Sequence, residues 1–246
     1  MRPVLFYFRG MPIHSYPAML YLGLIAGVFA GNFSAHASGL DPFRVYVAML
    51  LLIIPALVGS RLLHVLAHFS LYRKNPALIF DRSTGGAAMY GGFLLALLFA
   101  VPLLYLLRLP FAAFWDIAIV SILAGMIFAR IGCLLQGCCS GRRSNSRFTF
   151  YLPNHLGEWR QRIPSQFLES IWAAILLIAA ISFRDRMPFP GALCAALCCV
   201  YAAGRLILET FREPEPGSTS RFTLHHAISL AMIVVAFATL SAKWPR

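Results

Sequence analysis

The chain has 246 residues, of which 59% are hydrophobic and only 12% are charged. A soluble domain usually carries about 25% charged residues, so this composition excludes a water-soluble globule. The formal net charge is +12, but the basic residues lie between long apolar runs. That arrangement favours anionic lipid phosphates over nucleic acid as the partners of the positive charge.

Apolar runs long enough to cross a bilayer recur along the chain. A spanning helix needs about 20 mostly apolar residues. The first run lacks a small-residue cleavage site, so we expect it to remain as a helix. The predicted spans are 16–33, 43–68, 87–107, 111–136, 164–183, 188–211 and 222–242. We therefore predict an all-α integral membrane protein of about seven transmembrane helices, a single polytopic domain over 1–246 with a small extramembrane segment around 137–163.

The charge outside these spans is uneven. Seven spans place the two termini on opposite sides, and the N-terminal side carries about twice as many Lys and Arg residues as the other. The positive-inside rule alone would put that side in the cytoplasm. The inference fails if those residues bind phosphate, because functional arginines are kept for reasons unrelated to insertion.

The entrance to the third predicted span is rich in glycine. Residues 83–92 read STGGAAMYGG, with a Gly-Gly pair on each side of the segment that ends in Tyr90. Glycines such as Gly91 and Gly92 let the backbone approach a ligand or a neighbouring helix closely. Ligand binding and simple helix packing both explain this pattern.

A second unusual segment, residues 129–143, reads ARIGCLLQGCCSGRR. It puts Arg130 inside a predicted span, followed by Gln136, three cysteines and two more arginines. A charged side chain at membrane depth is costly and by default marks a functional site. Arg130 could alternatively extend to the interface along its apolar stem.

The sixth predicted span ends in YAAGRLILETFREPEP, residues 201–216. Arg205, Glu209 and Arg212 are four and three residues apart and therefore share one face of a helix. Two guanidinium groups around one carboxylate leave a positive face that can clamp a phosphate. A self-neutralising Arg-Glu pair is the plainer interpretation.

The fifth predicted span opens with RIPSQFLE, residues 162–169. Pro164 suits the first turn of a helix. Gln166 and Glu169 then follow at its start. Glu169 in that position could line a site, or it could simply complement the helix dipole.

Together and in this order, these segments resemble the prolipoprotein diacylglyceryl transferase family, bacterial enzymes that move diacylglyceryl from phosphatidylglycerol to the cysteine of a lipoprotein precursor. The family's GG-x3-HGG is similar to GGAAMYGG here, and its GRLGNFINGE-x2-GR is similar to ARIGCLLQGCCSGR. Its HPSQLYE is similar to IPSQFLE, and its FRIIVEFFRQPD to GRLILETFREPE. An early stretch, HSYPAMLY, is similar to HWYGLMY and adds Tyr16 to the site.

The resemblance implies a lipid-accessible cavity in a multi-pass protein of the bacterial inner membrane, with the active site on the extracytoplasmic side. It implies phosphatidylglycerol or a related anionic lipid and a lipoprotein precursor with a lipobox cysteine as partners, and no cofactor. Arg130, Arg205, Tyr90 and Glu209 would be catalytic. The implied substrate-binding residues are Tyr16, Gly91, Gly92, Gln136, Gly141, Arg142, Gln166, Glu169 and Arg212.

The chain departs from the family pattern where the acceptor would be activated. Tyr90 stands in place of the family histidine, and a phenol with an unperturbed pKa of about 10 is a poor base at neutral pH. Cys133 and Cys138 stand in place of an asparagine and a glutamate. These departures leave headgroup binding intact but change the chemistry available to the acceptor.

Two other functions follow from the same departures. Cys133, Cys138 and Cys139 near several arginines could form a reactive thiol site, because positive charge favours the thiolate. That would make the chain a thiol-redox or covalent-thiol membrane enzyme. A non-catalytic lipid-binding paralogue would also fit the missing histidine. The cysteine spacing matches no zinc motif, so the sequence predicts no metal site.

Overall fold

The structure is a computed structural model that describes residues 4–79, 89–153, 157–212 and 224–243. Long helices account for most of these residues. They are α1 (Ser15–Ala37), α2 (Pro42–Ala67), α4 (Met89–Leu106), α5 (Phe111–Gln136), α6 (Ser165–Phe183), α7 (Ala192–Glu209) and α8 (Leu224–Lys243), with a short α3 (Phe69–Lys74) after α2.

The long helices have the length and composition of membrane spans. Six of them are long and apolar enough to cross a bilayer, and Gly91–Leu106 of α4 is a shorter apolar helix. Large apolar side chains such as Leu94 and Phe237 are about two-thirds exposed, as expected where lipid replaces water. The prediction of an integral membrane protein of about seven helices is confirmed, and each predicted span overlaps one of these helices.

Two β-hairpins accompany the helices. Strand β1 (Val4–Phe8) pairs with β2 (Met11–His14), and β3 (Phe150–Pro153) pairs with β4 (Trp159–Arg162), both antiparallel. Arg9 and Gly10 turn the first hairpin with φ of +50° and +81°, the left-handed region that tight hairpin turns require. The sequence did not predict these strands, because runs of four or five residues carry little periodicity.

The chain divides into two compact units, Met1–Ser34 with Trp115–Arg246, and Ala35–Phe114. In the second unit α2 packs on α4 through glycines. A Cβ atom added to Gly91 would overlap the carbonyl oxygen of Gly59, and one added to Gly92 would lie 2.6 Å from the carbonyl oxygen of Ala56. Such small residues let two helix backbones approach closely. The helix-packing interpretation of this glycine-rich segment therefore has direct structural support.

In the first unit, α7 packs against α6 and α8, and its start is fixed by a carboxylate of α5. Asp116 accepts hydrogen bonds from the backbone N–H groups of Gly191, at 2.6 Å, and Cys194, at 2.8 Å. The first N–H groups of a helix have no partner within the helix, so a carboxylate there satisfies them and complements the helix dipole. Asp116 thereby fixes the position of α7 relative to α5.

Side-chain packing fixes α6 against α5 and α7. The core of this unit consists of Val120, Leu123, Ala173, Leu176, Ala180, Leu193 and Leu197 from α5, α6 and α7. Near the other end of α7, Gly204 lies against the indole ring of Trp172, with no room for a Cβ atom. The three helices that carry the predicted arginines and carboxylates thus form one packed group.

Candidate functional site

A buried network of ion pairs lies where α5, α6 and α7 meet. Glu169 of α6 pairs through Oε2 with Nε of Arg130 in α5, at 2.7 Å. It pairs through Oε1 with Nη1 of Arg205 in α7, at 2.5 Å. Nη2 of Arg205 also lies 3.0 Å from Oε2 of Glu209, one turn along α7. One carboxylate therefore holds two arginines that are far apart in the sequence.

The network carries an excess of positive charge. Arg212 adds a third guanidinium, 4.0 Å from Glu209, so three arginines face two carboxylates. The side chains of Arg130 and Arg205 are only 16% and 11% exposed, and that of Glu169 is 6% exposed. Charges this buried need partners, because desolvation is expensive. The remaining positive charge suits an anionic ligand such as a phosphate.

The loop after α5 begins with a Schellman turn. Gly137 has φ of +83°, and its N–H donates to the carbonyl of Leu134 at 3.2 Å. The N–H of Cys138 donates back to the carbonyl of Cys133 at 3.1 Å. This pattern ends many helices and brings the residue after the glycine over the last turn. It explains why Cys138 returns to Cys133.

The start of α6 holds the same loop from the other side. The side-chain amide nitrogen of Gln166 donates to the carbonyl oxygen of Cys138 at 2.5 Å. The hydroxyl of Ser165 donates to the carbonyl oxygen of Cys139 at 2.8 Å. The sulfur atoms of Cys133, Cys138 and Cys139 all lie within 4.8 Å of one another. The three cysteines that the sequence singled out therefore form one cluster.

The thiols of this cluster differ in their surroundings. Cys133 is buried, whereas Cys139 is exposed. Hydrogen bonds from the thiols of Cys133 and Cys138 lower the pKa of Cys139, and the charges of Arg212 and Arg130 lower it further. The neighbouring thiols contribute most to this lower pKa, and the two arginines act in the same direction.

Backbone hydrogen bonds tie the next residues of the loop to α6 and to the end of α7. The N–H of Gly141 donates to the carbonyl of Ile163, and that of Arg142 to the carbonyl of Phe211, both at 2.9 Å. A Cβ atom on Gly141 would lie 2.6 Å from the Phe211 oxygen, so this crossing requires glycine. Arg142 extends over the Phe211 ring, with its guanidinium carbon 5.9 Å from the ring centre.

Two further residues of the predicted site have different surroundings. Tyr16, on α1, is 37% exposed and interacts electrostatically with Arg130 and the three thiols. Its ring packs beside Gly132 of α5: a Cβ atom added to Gly132 would lie 3.4 Å from Cδ2 of Tyr16. Gln136 is exposed at the end of α5.

The first unit thus brings together most of the predicted residues. Those in or beside the ion pairs and the loop are Tyr16, Arg130, Cys133, Cys138, Cys139, Gly141, Arg142, Gln166, Glu169, Arg205, Glu209 and Arg212. Gly91 and Gly92 lie in the second unit, on the α2–α4 contact. The side chain of Tyr90 lies outside the described residues. The roles of all these residues remain predictions.

The structure adds two residues that sequence reasoning missed. Ser165 is buried and supports the cysteine loop, but a serine at a helix start usually indicates only capping. Arg162 is fully buried and donates from Nη1 to the carbonyl of Gly141 at 3.4 Å. A basic residue in an extramembrane segment normally has a solvated side chain, so no pattern distinguished it.

Comparison with known proteins shows similarity along almost the whole chain. Residues 3–242 match the family described as prolipoprotein diacylglyceryl transferase. A phosphatidylglycerol–prolipoprotein diacylglyceryl transferase of Clostridium tetani is 25% identical in an alignment that covers 96% of this chain and 95% of that protein. The corresponding protein of Enterococcus faecalis is 26% identical, over 95% of this chain and 87% of its own.

Proposed function

Because the chain belongs to the prolipoprotein diacylglyceryl transferase family, we propose that it transfers diacylglyceryl from phosphatidylglycerol, or a related anionic lipid, to the cysteine thiol of a lipoprotein precursor. The observation that carries this proposal is the buried network in which Glu169 holds Arg130 and Arg205. Similarity over nearly the whole chain favours this transferase over a thiol-redox enzyme and over a non-catalytic lipid-binding paralogue.

The reaction needs positive charge where phosphate leaves. A thiolate sulfur forms a bond to the terminal glyceryl carbon of the lipid, while the bond from that carbon to the phosphate oxygen breaks. Glycerol phosphate leaves with the bonding electrons. Donors already in position stabilise such developing charge without reorganisation. We assign this role to Arg130 and Arg205, with Glu209 orienting Arg205.

Arg212 and Arg142 extend the positive surface toward the loop. Arg212 pairs at 4.0 Å with Glu209 and is 21% exposed, twice as much as Glu209 itself at 11%. Its guanidinium therefore has capacity for a second anionic partner. We propose that these two residues and Tyr16 bind the lipid headgroup in a cavity open to the bilayer, while Gln166 and Gly141 hold the loop that carries Arg142.

We further propose that the protein lies in the cytoplasmic membrane with this site on the extracytoplasmic side. The uneven charge does not oppose that orientation. Arg142, Arg162 and Arg212 belong to the excess, and the side chains of all three make contacts that build the site or its loop. Arginines kept for such contacts say little about insertion.

An activity assay with arginine variants tests the proposed transferase. Purified protein in liposomes that contain phosphatidylglycerol is given a peptide with a lipobox cysteine, and we expect diacylglyceryl peptide and glycerol phosphate in equal amounts. Arg205→Ala should lower kcat/KM by about 100-fold to 1,000-fold, because one donor to the leaving phosphate is lost. Arg205→Lys keeps the charge but not the planar fork, so its activity should be intermediate.

Arg44→Ala is the matched control. Arg44 also pairs with a carboxylate, that of Asp41 at 3.2 Å, but both side chains are 48% exposed. We expect unchanged activity. The proposal is wrong if the unmodified protein, folded and monodisperse, forms no product, or if Arg44→Ala and Arg205→Ala reduce activity equally.

A further inference from the structure

The three thiols at the end of α5 have the spacing of a metal site. Their sulfur atoms lie within 4.8 Å of one another. In a tetrahedral zinc site with zinc–sulfur bonds of about 2.3 Å, the sulfur atoms are about 3.8 Å apart. Small side-chain rotations would therefore bring all three sulfurs to bonding distance of one ion.

Two independent backbone features hold the cluster. The Schellman turn at Gly137 places Cys138 over Cys133, and Cys139 follows with φ of +62°. Ser165 and Gln166 then fix the carbonyls of Cys139 and Cys138 from the start of α6. Metal ligands need this kind of support, because affinity depends on ligands that are already in position.

We propose that Cys133, Cys138 and Cys139 bind one zinc ion through three thiolates and leave its fourth position open. Thiolate sulfur is a soft ligand that selects zinc over hard cations such as magnesium. Structural zinc sites take four protein ligands, whereas catalytic sites take three and keep one position for water or substrate. Within the described part of the chain, no other His, Cys, Asp or Glu joins the group.

The arginines around the three cysteines suit a zinc–thiolate complex, which carries net negative charge. Three thiolates on Zn²⁺ leave one negative charge, and a fourth thiolate would add another. Arg212 and Arg130 interact electrostatically with Cys139, so positive charge is already present. Cys139 is exposed whereas Cys133 is buried, so a further ligand can approach the cluster from the side of Cys139.

The function of this position rests on the proposed transferase. An acceptor thiol that binds zinc loses its proton to water and becomes a thiolate. Its sulfur then forms the bond to the glyceryl carbon and leaves zinc, while glycerol phosphate departs with the electrons of the carbon–oxygen bond. Zinc stays on the three cysteines. The metal would thus activate the acceptor in a chain that has Tyr90 in place of a histidine.

Metal analysis of the whole purified protein tests the site without reference to activity. The protein is prepared with a non-thiol reductant, loaded with zinc and dialysed, and we expect about one zinc per chain. Cobalt in place of zinc should give sulfur-to-cobalt charge-transfer absorption. Single serine variants of the three cysteines should each lose most of the zinc and this absorption. Cys199→Ser, in α7, is the matched control and should keep both.

Two results would overturn the proposal, provided that the variants elute as the unmodified protein does. One is an unmodified protein that retains no more zinc than the triple serine variant. The other is zinc retention that the single serine variants leave unchanged. Chelation should also abolish transfer to the peptide, and zinc should restore it. Zinc bound without any transfer would contradict only the transferase, whereas transfer by the zinc-free protein would contradict the assigned role of the metal.

Discussion

Glu169 is the side chain on which the ion-pair network depends. Each of its oxygens faces a different arginine, and those arginines come from two different helices, α5 and α7. Removal of one member of a buried ion pair usually costs about 3–5 kcal/mol, because the remaining charge has lost its partner. Glu169 therefore affects both the stability of the fold and the direction in which the guanidinium groups point.

Glu169→Gln removes the charge of this side chain without removing the side chain itself. It therefore tests the role of the charge in the stability of the fold and in the orientation of the two guanidinium groups. The amide has almost the same shape but no charge, so Arg130 and Arg205 lose their shared counterion. We expect a free energy of unfolding lower by about 3 kcal/mol. We also expect kcat/KM lower by about 100-fold, because displaced donors no longer match the leaving phosphate. Thermal unfolding in detergent and the peptide assay measure the two quantities.

Glu158→Gln is the control for this substitution. Glu158 pairs with Arg143 at 2.8 Å, but its side chain is 51% exposed, and exposed pairs contribute at most about 1 kcal/mol. Its stability and activity should stay close to those of the unmodified protein. Equal effects of the two substitutions would contradict the special position of Glu169.

At the scale of elements, the contact between α2 and α4 shows how glycine determines helix packing. Gly59 and Gly91 meet with no room for a side chain on either. Among the described side chains of α2 and α4, none that is buried is polar or charged, so close backbone packing is the main specific contact between them. Helix packing alone therefore explains the glycine at position 91, and no bound ligand is needed to account for it. Gly91 nevertheless falls in the segment that resembles a family motif.

Gly91→Ala tests which of these explanations holds. A methyl group would contact the Gly59 carbonyl and Leu63, so the helices must separate, at a cost of about 1–3 kcal/mol. We expect a lower unfolding temperature with and without phosphatidylglycerol. Gly125→Ala is the control, because its Cβ would lie an ordinary 3.4 Å from the nearest atom. A ligand-binding glycine would instead reduce activity at unchanged unfolding temperature.

For the whole molecule, the proposed orientation decides which side of the membrane carries the loop between α5 and α6. This loop holds Cys138, Cys139 and the β3–β4 hairpin, and at least three of its five arginines have structural partners, namely Arg142, Arg143 and Arg162. Their number is therefore a poor guide to orientation. The proposed orientation places this loop outside and the α6–α7 connection inside.

Protease sites inserted at two exposed positions would test that orientation. In intact spheroplasts, external protease should cut a site inserted at Asn145, because the proposed orientation exposes this loop. A site at Asp185, in the turn between α6 and α7, should be cut only after the membrane is permeabilised. The reverse pattern would contradict the proposed orientation and leave the fold unaffected.

Much of the fold could be predicted because a bilayer imposes a strict length and composition on its helices. The network was partly predictable as well: Arg205 and Glu209 lie four residues apart, so their pairing follows from helix geometry. The pairing of Glu169 with Arg130 depends on the packing of α5 on α6, which no local pattern shows. Arg162 was missed for the same reason, since its burial arises from the hairpin and Gly141.

The sequence also could not predict that the sulfur atoms of Cys133, Cys138 and Cys139 form a cluster. The sequence placed three cysteines at a helix end, but the spacing matched no metal motif. Their convergence results from the positive φ at Gly137 and Cys139 and from two donors on α6. The turn and the contacts with α6 bring these three sulfur atoms together, and the spacing of the cysteines in the sequence does not show it.

The ion pairs of Glu169 also constrain the order in which the chain can mature during synthesis. Arg130 leaves the ribosome first, and an unpaired guanidinium in the membrane is costly. Its partner Glu169 arrives with the next helix, but Arg205 follows only after the connection to α7. We infer that α5 and α6 associate early as a hairpin, and that the site becomes complete only when α7 has been inserted beside them.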